Sequence, residues 1–356
     1  MNFQNIYIGT YTEKLPFVDG KAEGIYVYQL DSNCGKLTYL SNTIGPRNPS
    51  YLAIDPKRNF IYSTQETGMT DVPQIHALAT DGDLLSSLNH QPAHGGLPCH
   101  VTVDQTGKFV LTANYETGSI ACYPIQSDGS LGKRTSFIQH EGSGSNHERQ
   151  LSPHAHAVVL SSDNRLLFVP DLGLDKILVY KFDDQVGSLK PSNPPFVKTH
   201  TGAGPRHFVF HPTNQYAFVL NEMDATIIVY AYQSGLLNPL QTISTLPIDA
   251  KTPPSCAEIV VTPDGRYIYA SNRGHNSLAR FLFEAGQLYS LGHTQTLGET
   301  PRDFAIDLTG KFLIVGNQDT DTVVTFHIDH QTGDLEPTGF LAEIPNPVCI
   351  LPVQKW

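Results

Sequence analysis

GPRHFVFHPTNQYAFVLNE (204–222), CAEIVVTPDGRYIYASNR (256–273) and TPRDFAIDLTGKFLIVGNQ (300–318) are three copies of one sequence unit. Each copy has a polar start, a short apolar run, a turn, and a second apolar run that ends in a polar residue. Runs of this kind, bounded by Gly, Pro, Asn and Asp, predict two β-strands joined by a tight turn. Three weaker copies precede them at 48–66, 97–115 and 152–172, and β-rich runs with turns of their own follow the copies. Each repeat therefore predicts four strands.

The spacing of the repeats predicts the architecture. They are anchored at positions 49, 98, 153, 205, 256 and 301, a spacing typical of β-propeller blades. NPVCILPV (346–353) looks like a first strand without a second, and NIYIGTYT (5–12) like a second strand without a first. We predict an all-β seven-bladed β-propeller with four-stranded antiparallel blades, in which the N- and C-terminal strands close the ring, as one domain over residues 1–356. Closure removes free sheet edges; two stacked β-sandwiches, the alternative, fit the even spacing less well.

The composition limits the function. The formal net charge is −11 with only 23 Lys and Arg residues, which argues against nucleic-acid binding, since that needs a basic face. A few clustered arginines can still attract a small anion. The five cysteines include no C-x-x-C pair, the first residues do not resemble a signal peptide, and no apolar run is long enough to span a membrane. We expect a soluble cytoplasmic protein, a monomer or weak homo-oligomer, that uses no cofactor.

Two columns of residues are predicted to open onto one mouth of the central channel, because antiparallel pairing puts the start of the first strand beside the end of the second. The first column holds Ser50, Cys99, His154, Arg206, Ala257, Arg302 and Val348, and the second holds Glu66, Tyr115, Leu172, Glu222, Arg273, Gln318 and Tyr11. The Asn residues that end the second strands commonly satisfy turn backbone. Folding needs no charge at these positions, so the predicted catalytic residues are His154, Arg206, Glu222 and Arg273.

Further residues near the same mouth are predicted to bind substrate. They are His156, His207, Arg302, Asn114, Tyr115, Gln318 and Arg149. His154 and His156 could also be metal ligands, because alternate side chains of a strand point the same way. No third ligand is evident and the adjacent arginines would repel a dication, so no metal is predicted. A serine nucleophile is disfavoured because no G-x-S-x-G elbow is present, and the loop that contains GSGSN (142–146) is expected to cover the mouth.

Four segments carry a family resemblance. GSNHERQLSPHAHAV, GPRHFVFHP, TPDGRYIYASNRGHNSLARF and TPRDFAIDLTGKFLIVGNQDTDTVVTFHID resemble the lactonase seven-bladed β-propeller family, which includes bacterial 6-phosphogluconolactonases and fungal carboxymuconate cyclases. The resemblance covers essentially the whole chain. It implies a channel site of a histidine, two arginines and a glutamate, which fall on His154 in SPHAH, Arg206 in GPRH, Glu222 in LNE and Arg273 in SNRG. These are the four residues that the columns single out.

Three functions follow as hypotheses. The first is a lactonase that hydrolyses 6-phosphogluconolactone to 6-phosphogluconate, a step of the pentose phosphate pathway. Arginines would hold the phosphate and stabilise the oxyanion, while His154 would activate water as the general base. Glu222 would orient His154 or an arginine, or act as the base itself. The second is a cycloisomerase that closes a muconate-type dicarboxylate into a lactone with the same arginines. The third is a non-catalytic interaction propeller, which would not need a His/Arg/Glu cluster.

Overall fold

The computed structural model describes residues 2–354, which contain thirty β-strands and one 3₁₀ turn at Met69–Asp71. The first nine strands are β1 (Phe3–Thr10), β2 (Lys14–Leu15), β3 (Val18–Asp19), β4 (Gly24–Asp31), β5 (Leu37–Ile44), β6 (Leu52–Ile54), β7 (Phe60–Gln65), β8 (Gln74–Asp81) and β9 (Leu84–Pro92). The next twelve are β10 (Pro98–Val103), β11 (Phe109–Asn114), β12 (Ser119–Pro124), β13 (Ser136–Gln139), β14 (Val159–Leu160), β15 (Leu166–Asp171), β16 (Lys176–Asp183), β17 (Ser188–Lys198), β18 (Pro205–Phe210), β19 (Tyr216–Asn221), β20 (Thr226–Gln233) and β21 (Leu236–Ser244). The last nine are β22 (Cys256–Val261), β23 (Tyr267–Asn272), β24 (Ser277–Glu284), β25 (Gln287–Gln295), β26 (Pro301–Ile306), β27 (Phe312–Asn317), β28 (Thr322–Ile328), β29 (Leu335–Glu343) and β30 (Pro347–Gln354).

These strands form seven four-stranded antiparallel sheets, the blades. Blade 1 has the order β30, β1, β4, β5, and blades 2 to 7 are β6–β9, β10–β13, β14–β17, β18–β21, β22–β25 and β26–β29. The short strands β2 and β3 form a separate hairpin after β1. The predicted number of blades and of strands per blade is confirmed.

An aspartate fixes the turn between the first two strands of several blades. Asp104 Oδ1 accepts hydrogen bonds from the backbone N of Lys108 and of Phe109, both at 2.7 Å. Asp55 and Asp307 make the corresponding bonds in blades 2 and 7. Such local bonds favour a turn over a continued strand, which explains why D-x-x-x-x-F recurs in the sequence.

The apolar core lies between neighbouring blades. Phe218 and Leu220 of blade 5 share one buried cluster with Ile268 and Phe281 of blade 6. Comparable clusters join the other pairs of neighbouring blades around the ring. Each blade thus buries apolar side chains on both faces, and this burial holds the blades around the channel.

The ring closes inside blade 1. Strand β1 pairs with β4 on one side and with β30 on the other, where Tyr7 lies opposite Leu351 and Ile8 opposite Ile350. The predicted closure between the N- and C-terminal strands is therefore confirmed. Across residues 2–354, none of the helical structure is long and apolar enough to span a membrane.

Candidate active site

A β-bulge in the inner strand of several blades turns one residue toward the channel mouth. In blade 5, Pro205 lies opposite Asn221 and His207 opposite Leu220, so Arg206 is the extra residue. The same irregularity occurs at Cys99 in blade 3 and at Arg302 in blade 7. Bulges re-aim side chains that a regular pleat would place elsewhere. Cys99, Arg206 and Arg302 of the first predicted column are therefore bulged residues.

The second column lies beside the first, directly after the second strand of each blade. It includes Glu66, Tyr115, Glu222, Arg273 and Gln318, and these residues line a cavity of about 430 Å³ together with the bulged residues. That volume suits a small ligand. A cavity of about 10 Å³, the size of one water, adjoins it deeper in the channel. Both cavities are lined by Glu66, Cys99, His156, Arg206 and Arg302.

Blade 4 departs from the alignment that the sequence predicts. Ala155 pairs with Asp171, as Pro205 pairs with Asn221 in blade 5. His156, rather than His154, therefore holds the position equivalent to Arg206, and His156 lines the cavity. Placing His154 in the first column was wrong by two residues.

His154 lies behind Tyr115 and is not among the residues that line the cavity. Its ring stacks on the Tyr115 ring with centroids 4.6 Å apart, and its Nδ1 is 2.9 Å from the Tyr115 carbonyl oxygen, so Nδ1 is the donor. Asp171 causes this arrangement. Its Oδ1 accepts a 2.7 Å hydrogen bond from the His154 backbone N, and its Oδ2 lies 2.6 Å from Nδ1 of the buried His140.

Three guanidinium groups surround Glu222 on one side of the cavity. Glu222 Oε1 is 2.7 Å from Arg149, and Oε2 is 2.9 Å from Arg206 and 3.0 Å from Arg273. Burial would raise the pKa of Glu222, but the neighbouring positive charges, that of Arg273 foremost, lower it well below the usual value. Burial lowers the pKa of Arg273 to about 10, which still leaves it charged at neutral pH. We call Arg149, Arg206, Glu222 and Arg273 the arginine wall.

Arg149 differs from the other members of the arginine wall because it comes from the loop between β13 and β14. Its side chain is 45% exposed, whereas that of Arg206 is 5% exposed. Its Nη2 also donates to the Tyr115 hydroxyl at 3.2 Å. The loop that contains GSGSN reaches the mouth through Arg149, but Ser143, Gly144 and Ser145 line a separate surface pocket beside Asp175 and do not cover the mouth.

His156 is held neutral beside the arginine wall. Arg206 Nη1 donates a hydrogen bond to His156 Nε2, which occupies the lone pair of that nitrogen. Burial, followed by the charge of Arg206, lowers the pKa of His156 well below its usual value. Because the lone pair is engaged and the pKa is low, His156 is better suited to orient Arg206 than to accept a proton.

The opposite side of the cavity presents hydroxyl groups to a second glutamate. Glu66 Oε2 accepts hydrogen bonds from the Tyr11 hydroxyl at 2.9 Å and from the Ser50 hydroxyl. Arg302 Nη2 donates to the Tyr11 hydroxyl at 2.8 Å and lies 3.9 Å from Glu66 Oε1. We call Tyr11, Ser50, Glu66 and Arg302 the hydroxyl wall.

A buried pair of acids and a histidine lie one level deeper in the channel. His207 Nδ1 is 2.7 Å from Glu258 Oε2, and both side chains line the smaller cavity with Asp303. Burial raises the pKa of Glu258 to about 8 and that of Asp303 well above its usual value. Burial also lowers the pKa of His207 well below its usual value. Burial therefore favours the neutral form of all three groups.

The structure brings most of the predicted residues to the cavity. Arg149, Arg206, Glu222, Arg273, His156, Arg302, Tyr115 and Gln318 line it. His207 lines the deeper cavity instead. Asn114 lies at neither, because its Nδ2 donates to the Ala93 carbonyl oxygen at 3.2 Å and to Ser119 Oγ at 3.1 Å. Asn272 and Asn317 make equivalent bonds in blades 6 and 7, which supports the turn role of the Asn positions.

Other cavity residues were not predicted. Glu66 stands in the second column of the sequence, and its charge was the signal that could have found it. Tyr11, from the same column, supports Glu66 by a hydrogen bond. Phe17 lies at the cavity because the β2–β3 hairpin brings it there, and nothing in the repeat indicates this. As for metals, the part of the chain that the structure describes holds no group of three or more His, Cys, Asp or Glu side chains placed to bind an ion.

The chain is similar to proteins of known name over nearly its full length. The family model described as "Lactonase, 7-bladed beta-propeller" matches residues 5–352. The 6-phosphogluconolactonase of Bacillus subtilis is 36% identical over 348 residues, 97% of each chain. That of Formosa agariphila is 32% identical over 93% of this chain and 94% of its own length. Among solved structures, the periplasmic gluconolactonase of Pseudomonas aeruginosa aligns with a TM-score of 0.93 at 30% identity, covering 99% of this chain and 100% of that one.

Proposed function

The chain belongs to the lactonase family of seven-bladed β-propellers, and from that premise we propose that it hydrolyses 6-phosphogluconolactone to 6-phosphogluconate. The observation that carries the proposal is the set of four guanidinium groups, those of Arg149, Arg206, Arg273 and Arg302, around one small cavity. Glu222 engages three of them without neutralising all of them. A guanidinium matches the paired oxygens of phosphate and carboxylate. An anionic lactone therefore suits this cavity better than a neutral one.

The depth of the arginines suggests how the substrate is oriented. Arg149 and Arg273 line only the larger cavity, whereas Arg206 and Arg302 also line the deeper one. We place the phosphate at the mouth, on Arg149 and Arg273, and the lactone carbonyl deeper, facing Arg206 and Arg302. Fixed positive charge at the carbonyl oxygen stabilises the oxyanion that forms when water attacks.

The other predicted catalytic residues receive positioning roles in this scheme. Glu222 holds the arginines in place through three ion pairs, and His156 orients Arg206. His154 supports the Tyr115 ring behind the cavity wall. The cytoplasmic location and the monomer or weak oligomer predicted from the sequence stay predictions.

The test is a direct assay in which purified protein, treated with a chelator, receives freshly made 6-phosphogluconolactone or the unphosphorylated gluconolactone. With spontaneous hydrolysis subtracted, we expect acceleration of both reactions and a kcat/KM at least about tenfold higher for the phosphorylated lactone. Arg149→Ala and Arg273→Ala should remove that preference through KM. Arg266→Ala, in a turn far from the cavity, is the matched control and should behave as wild type.

Each contrary outcome has a clear meaning. No acceleration with either lactone would reject the hydrolase and leave the interaction propeller. Turnover of a carboxymuconate alone would favour the cycloisomerase. Equal kcat/KM for the two lactones would reject the assigned phosphate site, and loss of activity with the chelator would revive a metal at His154 and His156.

A further inference from the structure

We propose that Glu66 is the general base that takes a proton from the attacking water. This inference rests on the lactone hydrolysis proposed above and adds a catalytic residue to it. Glu66 lies at the floor of the larger cavity, since it lines that cavity and the deeper one. Glu66 is only 4% exposed, so a water held by its carboxylate is shielded from bulk solvent.

The other candidate bases around the cavity have their lone pairs engaged. Glu222 carries three guanidinium groups on its two oxygens. His156 Nε2 accepts from Arg206. A carboxylate in a triple ion pair or an imidazole bonded to a permanent cation would have to lose a strong contact before it accepted a proton.

Asp319 is the remaining carboxylate of the cavity, and it sits at the rim. It is exposed, and its two oxygens accept hydrogen bonds from Gln318 Nε2 at 2.8 Å and from Thr300 Oγ1. An exposed rim carboxylate cannot shield an attacking water from bulk solvent. Glu66, in contrast, belongs to the same wall as Arg302.

The hydrogen bonds of Glu66 leave one oxygen available. The Tyr11 and Ser50 hydroxyls both donate to Oε2, which fixes the orientation of the carboxylate. Within residues 2–354, the side-chain hydrogen bonds to the carboxylate both go to Oε2, and Oε1 faces Arg302 Nη2 at 3.9 Å. A water between Oε1 and a lactone carbonyl would have the carboxylate on one side and an electrophile next to Arg302 on the other.

The reaction balances with Glu66 as the only group that changes protonation in the site. The water oxygen bonds to the carbonyl carbon, one water proton passes to Glu66 Oε1, and the carbonyl electron pair moves to the oxygen that faces Arg302. The carbonyl then re-forms, and the ring C–O bond breaks with its electrons on the ring oxygen. Glu66 returns its proton to that oxygen, and the carboxylic acid product ionises into solvent.

Glu66→Gln tests the proposal because the amide oxygen can still accept from Tyr11 and Ser50, whereas the amide nitrogen cannot accept a proton. We expect kcat to fall by about 10²–10⁴-fold, while KM and the Kd for 6-phosphogluconate stay within about threefold of wild type. Formate should partly restore the activity of Glu66→Ala as its concentration rises. Glu116→Gln, which removes an exposed carboxylate next to Tyr115, is the matched control and should keep wild-type kcat.

The result that overturns the proposal is a Glu66→Gln variant that keeps kcat within about threefold of wild type. A raised KM and Kd without formate rescue would also overturn it, since Glu66 would then only position Arg302. The thermal unfolding midpoint and the formate rescue separate either result from misfolding. Inactive wild-type protein would instead reject the hydrolysis itself.

Discussion

The arginine wall and the hydroxyl wall place a glutamate at the same repeat position and surround it with different partners. Glu222 follows the second strand of blade 5, and Glu66 follows the second strand of blade 2, across the ring. Glu222 has three guanidinium groups within 3.0 Å, whereas Glu66 accepts from two hydroxyls through one oxygen. The repeat determines where a carboxylate stands, and its neighbours determine whether it can accept a proton.

The difference arises from two positions around each glutamate. The first-column residue of the same blade is Arg206 beside Glu222 but Ser50 beside Glu66. The second-column residue of an adjacent blade is Arg273 in one case and Tyr11 in the other. Three guanidinium groups within 3.0 Å hold Glu222 as an anion. The hydroxyls of Tyr11 and Ser50 carry no charge, and the Arg302 guanidinium stands 3.9 Å from Glu66.

The largest expected effect is on stability, in a comparison of Glu222→Gln with Glu66→Gln. Glu222→Gln leaves Arg206 and Arg273 buried without their counter-ion, which should lower the free energy of unfolding by about 3–5 kcal/mol. Glu66→Gln keeps an acceptor for Tyr11 and Ser50 and should cost only about 1 kcal/mol. Urea denaturation of both variants measures the difference. Equal losses would show that the two walls are electrostatically alike.

A smaller effect concerns pH, because Glu258 and His207 line the deeper cavity together with residues of both walls. Burial raises the pKa of Glu258 from 4.5 to about 8, so between these values the folded protein holds a proton that the unfolded chain has released. The contribution of Glu258 to the free energy of unfolding therefore falls as the pH rises from 4.5 toward 8. His207 and His156 have lowered pKa values and act in the opposite direction, but only below their usual pKa of about 6.5.

Glu258→Gln should consequently flatten the loss of stability between about pH 6.5 and 8, a change of up to about 2 kcal/mol. The amide resembles the protonated acid and can still donate to His207. Urea denaturation at several pH values measures the slope. A slope identical to that of wild type would show that Glu258 is already ionised at neutral pH.

The smallest effect separates the two histidines of blade 4. His156→Ala removes the acceptor of Arg206 in the arginine wall and should lower kcat/KM by about tenfold, the value of one hydrogen bond to a charged group. His154→Ala loses the stacking on Tyr115 and should lower it by about fivefold or less. Steady-state kinetics with the phosphorylated lactone compares them. Abolished activity in His154→Ala with a mild effect of His156→Ala would restore His154 as the base.

The sequence was sufficient to predict the blades, the closure and the face on which the polar columns meet, because strand periodicity and turn chemistry repeat in every blade. It could not predict the register in blade 4, because that register depends on Asp171. The Asp171 side chain accepts a hydrogen bond from the His154 backbone and contacts His140 at the start of the same long loop. Nor could it distinguish Glu66 from Glu222. That distinction depends on side chains of other blades, such as Tyr11 and Arg302, whose proximity exists only in the folded ring.

The seam at which β30 meets β1 makes closure of the ring depend on both ends of the chain. All other blades lie between these two strands in sequence, and blade 1 has its inner strand only when β30 pairs with β1. The hydroxyl wall draws Tyr11 from blade 1, Glu66 from blade 2 and Arg302 from blade 7, the pieces that come together at this seam. A chain in which β30 is not paired with β1, or that has been cleaved near this seam, has the arginine wall but lacks an assembled hydroxyl wall opposite it. With Glu66 as the base, such molecules would still bind an anion but would not hydrolyse the lactone. The specific activity of a preparation would then measure the fraction of molecules in which the ring is closed.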